Sequence, residues 1–275
     1  MQNTPFIQET QSWREQRETN LKKPDGWLAV SGLFWLKDGA NSIGGDPACD
    51  VPLPAGSAPA QVGVIHFHDG VASLSVNAGV SVTADDKPIT SAILRSDADG
   101  APTSVKLNDL VFVVLKRGQR YGVRLWDANS EERKHFHGLK WYEPKEEYRV
   151  MARFIPYAAP RKLLIDTVLE GFQEESLSPG VAEFELGGKT HRLVADSGTA
   201  EQGLFINFRD LTSAKTTYGA GRFLQTAGVK NGEVVLDFNR AFTPPCGFTN
   251  FATCPIPLRE NWLDIAVEAG ELNPH

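Results

Sequence analysis

Short runs of alternating apolar and polar residues dominate the chain from Trp27 onward, and turn residues separate them. In the first half these runs are VGVIHF, VASLSV, DLVFVVLKRG and RYGVRLW, with the turn-forming strings HDG, NAG, DADG and RGQ around them. Alternation with a period of two predicts β-strands that bury one face. Turns at roughly ten-residue intervals, without helical stretches between them, favour an antiparallel sandwich or barrel.

The N-terminal residues follow a different pattern. Thr4 followed by Pro5 is typical of an N-cap and a first helical position. Apolar and large side chains then recur at helical spacing, at Phe6, Thr10, Trp13, Arg17 and Leu21. We therefore predict one amphipathic helix at the start of the chain.

The second half repeats the strand pattern after a charged interval. The string SEERKHFH lacks Gly and Pro, which predicts a short helix or turn, and we place a domain boundary near Asn129. Beyond it, EYRVMARFI, RKLLIDTVL, VAEFELGG, THRLVAD, GLFINFRD and EVVLDFN are typical of strands, and Gly187-Gly188 predicts a hairpin. The sequence thus predicts an all-β protein of two packed sandwich-like or barrel-like units with an N-terminal α-helix. The predicted division is 1–23, 24–128 and 129–275.

Composition narrows the functional classes. A chain of 275 residues with 41% hydrophobic content can bury a substantial core. Its formal net charge of -6 argues against a general nucleic-acid or anionic-membrane binder, because phosphate groups attract clustered Lys and Arg. The first residues contain no apolar signal-peptide core, and no later run is long enough to span a membrane. We therefore expect a cytoplasmic protein with no membrane or nucleic-acid partner.

The segment LDFNRAFTPPCGFTNFATCPIPLRENWLDIAVEAGE is the most distinctive part of the chain. Prolines fix φ and remove backbone donors, so this segment is expected to be a rigid connection outside the middle of a sheet. Three cysteines in a chain of this length favour reduced thiols, although a Cys246–Cys254 bridge across the loop is an alternative. The four prolines concerned are Pro244, Pro245, Pro255 and Pro257.

Cys246 is a candidate nucleophile on this segment. A reactive thiolate needs a neighbouring base or cation to lower its pKa, and His135, His137 and His191 are the possible bases. The alternative is a buried, inert cysteine. A metal site made from Cys246, Cys254 and the His135-x-His137 pair is a further alternative, but its spacing matches no known finger, so we expect neither a metal nor a cofactor.

A polar set in RDLTSAKTTYGAGR and LDFNR suits a ligand. Asp210 and Asp237 each follow a strand-like run, so they are candidate paired carboxylates for acid–base catalysis or, alternatively, turn and cap residues. A hairpin pinned by Arg–Asp pairs is the structural alternative for the whole set. The predicted ligand-binding residues are Lys215, Tyr218, Arg222, Asn239, Arg240, Cys254 and Asn261.

The string ANSIGGDPACDVPLP, from Ala40 to Pro54, resembles the opening of a forkhead-associated β-sandwich. The resemblance implies such a fold for residues about 27–127 and, in that family, binding of phosphothreonine peptides through an Arg and a Ser-x-x-His pattern. Here Gly45 stands at the Arg position and no Ser-x-x-His follows Pro54. Since phosphate recognition needs dense donors, phosphopeptide binding is not expected.

The strings LFINFRDLTSAKTTYGAGRFL, LDFNRAFTPPCGFTNFATCPIP and ENWLDIAVEAGE resemble the bacterial and archaeal domain-of-unknown-function family sixteen eighty-four. The DGWL…GLFWL opening fits the same family, whereas Thr243 stands where the family more often has Asn. This resemblance implies no particular activity.

Two functional hypotheses follow from these features. The first is a small-molecule-binding protein with the option of hydrolase activity on an anionic substrate, in which Cys246, Asp237 or Asp210 performs the chemistry. The alternative is a protein-interaction module with a degenerate forkhead-associated-like domain and no catalysis.

Overall fold

A computed structural model describes residues 4–275. Strands hold 45% of the residues and helices 14%, which confirms the predicted all-β class with a single long helix at the N-terminus. The chain forms two compact units. One is Asn20–Phe136, here called the inserted unit, and the other, here called the split unit, combines residues through Thr19 with His137–His275.

The N-terminal helix, α1, spans Pro5–Leu21. The Thr4 hydroxyl accepts a hydrogen bond from the backbone nitrogen of Ile7 at 3.4 Å, as the N-cap prediction requires. Phe6, Thr10 and Leu21 are buried, which confirms the predicted stripe at helical spacing. Within residues 4–275, no helix is both long and apolar enough to cross a membrane.

The inserted unit is a two-sheet sandwich. Its sheets have the strand orders β1-β11-β10-β9-β6-β7 and β3-β2-β4-β5-β8, and a short helix, α2, spans Glu131–Lys134. Inward-facing residues of both sheets, such as Ile65 and Phe112, form one core. The strands are β1 Val30–Trp35, β2 Gly39–Gly44, β3 Val51–Pro52, β4 Gly63–His68, β5 Val71–Val76, β6 Val82–Ala84, β7 Lys87–Ile89, β8 Ser91–Leu94, β9 Val105–Leu107, β10 Leu110–Arg117 and β11 Arg120–Asp127.

The split unit contains a four-stranded and a three-stranded sheet. Their orders are β14-β13-β12-β18 and β15-β16-β17, and residues of both sheets and of the C-terminal segment, such as Phe184, Phe208 and Val267, share one core. The strands are β12 Arg149–Asp166, β13 Gln173–Leu186, β14 Lys189–Val194, β15 Ser197–Thr199, β16 Gly203–Phe208, β17 Arg222–Gln225 and β18 Glu233–Asp237.

The long hairpin of β12 and β13 differs from the two separate strands that EYRVMARFI and RKLLIDTVL predict. The structure has one strand across both strings, with a shift in register between Pro156 and Arg161. Residues 157–160 lie opposite Pro179, so the prolines occupy a bulge where ladder donors are not needed. The interruption between the two strings is therefore a local irregularity in a continuous strand.

Two other turn predictions are confirmed. Gly187 and Gly188 both have positive φ, of 60° and 75°, and they join Leu186 to Lys189 in the β13–β14 hairpin. The segment after β18 contains short 3-10 turns at Phe238–Arg240, Pro245–Gly247 and Arg259–Asn261, and its described residues form isolated bridges but no strand.

Candidate functional site

Two cysteines and one tyrosine of the split unit meet in a group that we call the thiol cluster, made of Cys246, Cys254 and Tyr218. The backbone nitrogen of Cys246 donates a hydrogen bond to Sγ of Cys254 at 3.3 Å. The Tyr218 hydroxyl donates to the backbone carbonyl of Cys246 at 2.9 Å. The structure thus brings together three of the residues that the sequence predicts for a site.

The local sequence explains the shape of the turn that carries Cys246. Pro244, with φ of -63°, and Pro245 lead into the 3-10 turn Pro245–Gly247. A Cβ on Gly247 would lie 2.3 Å from Cγ2 of Thr243 and 3.3 Å from Cδ2 of Tyr218. Glycine at this position therefore allows the Tyr218 ring to pack against the turn.

The environment of the cluster favours a thiolate on Cys246. A hydrogen bond from the Cys254 thiol lowers the pKa of Cys246, burial opposes that change, and the Tyr218 hydroxyl lowers the pKa further. Burial, followed by its contact with Cys246, raises the pKa of Tyr218 well above its ordinary value. Cys246 is half-buried, whereas Cys254 is 5% exposed. Of the two cysteines, Cys246 is therefore the more exposed residue, and Tyr218 stays a proton donor.

Arg17 of α1 holds the start of the same turn. Its Nη2 donates to the backbone carbonyl of Thr243 at 2.9 Å, and its guanidinium lies over the rings of Phe242 and Phe248 at 4.7 and 5.6 Å. Arg17 also pairs with the fully buried Glu271, at 3.4 Å. Burial lowers the pKa of Arg17 and raises that of Glu271, and the attraction between the two groups opposes both changes.

Arg222 and Asp210 form a second group, here called the arginine pin. Their Nη2 and Oδ2 atoms are 2.5 Å apart, and the side chains are 1% and 0% exposed. The Arg222 guanidinium also donates to the carbonyls of Val267, at 3.0 Å, and Ala269. Asp210 further accepts the backbone nitrogen of Thr212 at 2.6 Å. This arrangement ties β17 to the C-terminal segment, in agreement with the structural alternative stated for this set.

Asp237 lies in a different group. Its Oδ1 accepts from the backbone and side-chain nitrogens of Asn239 at 3.2 and 3.0 Å. Its Oδ2 is 3.4 Å from Nε of Arg240. Asn239 in turn pairs with both backbone groups of Lys145, each at 2.9 Å. Asp237 thus caps a turn, and Asp210 and Asp237 have different partners.

The remaining predicted ligand contacts are Lys215 and Asn261. Lys215 is exposed, on the loop that precedes Tyr218. Asn261 is fully buried, where it accepts the backbone nitrogen of Val194 at 2.7 Å and donates to the carbonyls of Val194 and Asn207, each at 2.9 Å. Asn261 therefore joins β14 to β16.

The histidines considered as bases lie in other settings. Nε2 of buried His191 faces the Leu186 carbonyl at 3.2 Å, and its Nδ1 is 3.7 Å from the carboxylate of Asp264. His135 belongs to the inserted unit, and His137 is an exposed residue of the split unit. Across residues 4–275, no group of three or more His, Cys, Asp or Glu side chains has an arrangement that could hold a metal ion.

The sequence reasoning missed Asp196 as a residue of chemical interest. This carboxyl is 3% exposed, and its Oδ2 accepts the backbone nitrogen of Asn207 at 2.5 Å. Burial raises the pKa of Asp196 to about 7, the bond to Asn207 opposes this, and the charge of Glu174 adds to it. The string VADSG is typical of a strand end followed by a turn, so no local signal marks this carboxyl as buried.

An open groove of about 660 Å³ lies along the β12–β13 hairpin. Its lining includes Lys162 and Glu175, which form an ion pair at 2.8 Å, but no residue of the predicted site. The groove borders the strand end at Asp196, because the Ser176 hydroxyl donates to the Asp196 carbonyl at 2.7 Å. The lining residues are Lys162, Glu175, Ser176, Leu177, Ser197, Gly198 and Thr199.

Comparison with solved structures finds limited likeness. An uncharacterized protein of Haloarcula marismortui, solved by solution NMR, is 32% identical over 52% of this chain and 80% of that chain, with a TM-score of 0.43. The FHA domain of FhaA, solved in complex with the intracellular domain of another protein, is 19% identical over 34% and 96%, with a TM-score of 0.25. An FHA domain studied for phosphothreonine-dependent interactions is 19% identical over 34% and 92%, with a TM-score of 0.24. At these TM-scores the likeness carries no functional argument.

No curated protein matches this chain significantly. A family model does match, over residues 134–272, which is half of the chain and most of the split unit. The chain therefore belongs to the family described as "Protein of unknown function (DUF1684)".

Proposed function

We propose that this protein binds a small anionic molecule at the thiol cluster and that Cys246 attacks it as a nucleophile. The observation that carries the proposal is the half-buried Cys246 thiol, whose pKa is lowered by its contacts with Cys254 and Tyr218. A lowered pKa increases the fraction of thiolate, which is the nucleophilic form of cysteine, and a constrained turn holds Cys246 in place. Lys215 is exposed and precedes Tyr218 on the same loop, so we assign the attraction of the anion to its ammonium group.

The reaction class that fits this arrangement is hydrolysis of an activated ester or thioester. The Cys246 thiolate adds to the carbonyl carbon of an ester, the bond to the leaving alkoxide breaks, and the alkoxide takes a proton from water. The hydroxide thus formed cleaves the acyl–sulfur bond, releases a carboxylate and returns the thiol. Asp210 and Asp237, the bases proposed from sequence, are held by Arg222 and Asn239, so we assign the chemistry to the thiol cluster instead.

The test is pre-steady-state hydrolysis of 4-nitrophenyl esters, one neutral and one carrying a carboxylate. We expect a burst of nitrophenolate that matches the enzyme concentration, an acyl adduct on Cys246 by mass spectrometry, and faster reaction of the anionic ester. Cys246→Ser is expected to lose both burst and adduct. Cys49→Ser is the matched control, because Cys49 is buried in the inserted unit, and it is expected to keep both. An unchanged burst in Cys246→Ser would contradict the proposal.

Self-association through the inserted unit is a second candidate function. Its β8 is the last strand of the five-stranded sheet and carries Ile93, which is 70% exposed, diagonal to Val71, which is 54% exposed. An apolar sheet edge can pair with a second copy. A phosphopeptide is a poorer partner, because a Cβ on Gly45 would lie 2.7 Å from the Ala58 carbonyl, which leaves no room for an arginine side chain without a shift of the backbone.

Sedimentation velocity over a concentration series tests the second candidate. If the edge pairs copies, the wild-type sedimentation coefficient rises with concentration and Ile93→Lys abolishes the rise. A coefficient that stays at the monomer value in both proteins rejects this function.

A further inference from the structure

The thiol cluster contains a second sulfur, Sγ of Cys254, beside the proposed nucleophile Cys246. Sγ of Cys254 accepts a hydrogen bond from the backbone nitrogen of Cys246 at 3.3 Å. Because the N–Cα bond is about 1.46 Å, Sγ of Cys254 lies at most about 4.8 Å from Cα of Cys246. That approach is compatible with a disulfide after rotation of the two side chains.

Hydrogen bonds hold the backbone at Cys254 and at the residue that follows it. The Cys254 carbonyl accepts the backbone nitrogen of Val168 at 2.9 Å, and the next carbonyl, of Pro255, accepts the side chain of Asn207 at 2.9 Å. Cys246 instead occupies a half-buried 3-10 turn. A partly exposed thiol with a stabilised thiolate, beside a buried thiol on a fixed strand-like segment, is the pairing of an attacking and a resolving cysteine.

We propose that Cys246 and Cys254 form a reversible redox couple whose oxidant is a small hydroperoxide. The inference rests on the proposed nucleophilicity of Cys246. Its thiolate attacks the terminal oxygen of the peroxide, the O–O bond breaks, and the alkoxide leaves and takes a proton from water, which yields a sulfenic acid on Cys246. Sγ of Cys254 then attacks that sulfur. The S–S bond forms, the S–O bond breaks, and hydroxide leaves with the Cys254 proton as water.

Two equivalents of a low-molecular-weight thiol complete the cycle. The first attacks the disulfide to give a mixed disulfide and one free cysteine, and the second releases the remaining cysteine, so that the small thiols leave as their own disulfide. The third cysteine provides an internal comparison. Buried Cys49 contacts the Ala60 carbonyl at 3.7 Å and the Gln61 side-chain nitrogen at 3.4 Å, and neither group can resolve a sulfenic acid.

The test treats the full chain with one equivalent of hydrogen peroxide and measures intact mass and peptide maps. We expect a loss of about 2 Da, for two hydrogen atoms, and a peptide that joins Cys246 to Cys254. A small thiol is expected to reverse both changes. Cys254→Ser is expected to gain about 16 or 32 Da at Cys246 instead, since oxygen accumulates where no resolving thiol exists. The matched control, Cys49→Ser, is expected to behave as the wild type.

A second measurement separates this inference from the function on which it rests. Native iodoacetamide labelling reports nucleophilicity alone, and we expect Cys246 to react at least about tenfold faster than buried Cys49. Fast labelling of Cys246 combined with oxygen addition in the wild type would overturn the redox couple and leave the nucleophile standing. Labelling of Cys246 no faster than that of Cys49 would overturn both. If circular dichroism shows that Cys254→Ser is unfolded, Cys254→Ala and the wild-type peptide map decide.

Discussion

The arginine pin and the thiol cluster lie in the same unit, and both join residues that are distant in sequence, yet their surroundings are opposite. The pin consists of two charged side chains with 1% and 0% exposure, and its partners are backbone carbonyls and a threonine. The thiol cluster consists of two cysteines and a tyrosine, and one of the cysteines is half-buried. In this unit the buried ion pair of the arginine pin is therefore the structural element, and the two cysteines carry the candidate chemistry.

The difference between the arginine pin and the thiol cluster follows from the cost of desolvation. A buried ion pair is retained only when its remaining hydrogen-bonding groups have partners, so its donors are used up inside the protein. A thiol has a smaller desolvation cost and its reactivity depends on a few nearby donors. Substitutions in the arginine pin should therefore lower the stability of the fold, whereas substitutions in the thiol cluster should change the reactivity of Cys246.

Arg222→Met is expected to give the largest effect and to test the pin directly. The substitution leaves Asp210 as an unpaired buried carboxylate, which we expect to lower the free energy of unfolding by roughly 3–5 kcal/mol. Urea denaturation measures the loss. Arg259→Met is the matched control, because Arg259 is exposed, and it should stay within about 0.5 kcal/mol of wild type. Wild-type stability in Arg222→Met would remove the structural role of the pin.

Asp196→Asn tests whether a buried carboxyl outside the pin behaves in the same way. The Asp196 pKa of about 7 lies above the ordinary value, so the folded protein keeps a proton that the unfolded chain releases. The contribution of Asp196 to the free energy of unfolding is then largest below about pH 4, falls as the pH rises toward 7, and stays low at higher pH. The substituted amide carries no charge at any pH, so the variant should be more stable than wild type at pH 8, by at most about 4 kcal/mol, and similar at pH 4.

The measurement is urea denaturation of both proteins at pH 4, 6 and 8. Asp166→Asn, at an exposed position of β12, is the control and should follow the wild-type curve. A constant difference between Asp196→Asn and wild type at all three values would show that Asp196 is ionised throughout.

Tyr218→Phe tests the contribution of the tyrosine to the thiol cluster. Loss of the phenol removes a hydrogen bond that lowers the pKa of Cys246, worth about 1 kcal/mol, so the midpoint of the pH–rate profile for iodoacetamide labelling should rise by roughly 0.5–1 pH unit. Tyr142→Phe removes a phenol that pairs with Thr216 and should leave the profile unchanged. A midpoint that does not move would remove Tyr218 as a cause of the lowered Cys246 pKa.

Lys215→Ala is expected to give the smallest change. Its exposed ammonium contributes little to folding, so the free energy of unfolding should change by less than about 0.5 kcal/mol. If Lys215 attracts the substrate, KM for the anionic nitrophenyl ester should rise while KM for the neutral ester stays constant. If KM for each ester is the same in the variant and the wild type, Lys215 does not contribute to substrate binding.

Local sequence signals predicted much of the fold. Periodicity located the strands, Thr4 and Pro5 located the start of α1, and the glycine pair located the β13–β14 hairpin. The same kind of signal predicted two strands, EYRVMARFI and RKLLIDTVL, where the structure has one, because a bulge interrupts the alternation without ending the strand.

The partners of the polar residues lay beyond local signals. Arg222 donates hydrogen bonds to the carbonyls of Val267 and Ala269, which follow it by 45 and 47 residues. Tyr218 donates to the carbonyl of Cys246, which follows it by 28 residues. No periodicity encodes such pairs, because the tertiary packing of separate elements fixes them. The sequence thus identified the members of the thiol cluster, and only the fold distinguished them from the members of the pin.

The split unit has a consequence for how the chain is made. Arg17 contacts Glu271, which follows it by 254 residues. At synthesis rates of about 5–20 residues per second, the first helix leaves the ribosome roughly 13–50 s before its partner exists. The contiguous stretch Asn20–Phe136 emerges within that interval, so it can fold before the partners of the helix have been synthesised. A nascent chain therefore holds Phe6, Thr10 and Trp13 uncovered until the C-terminal segment has been synthesised.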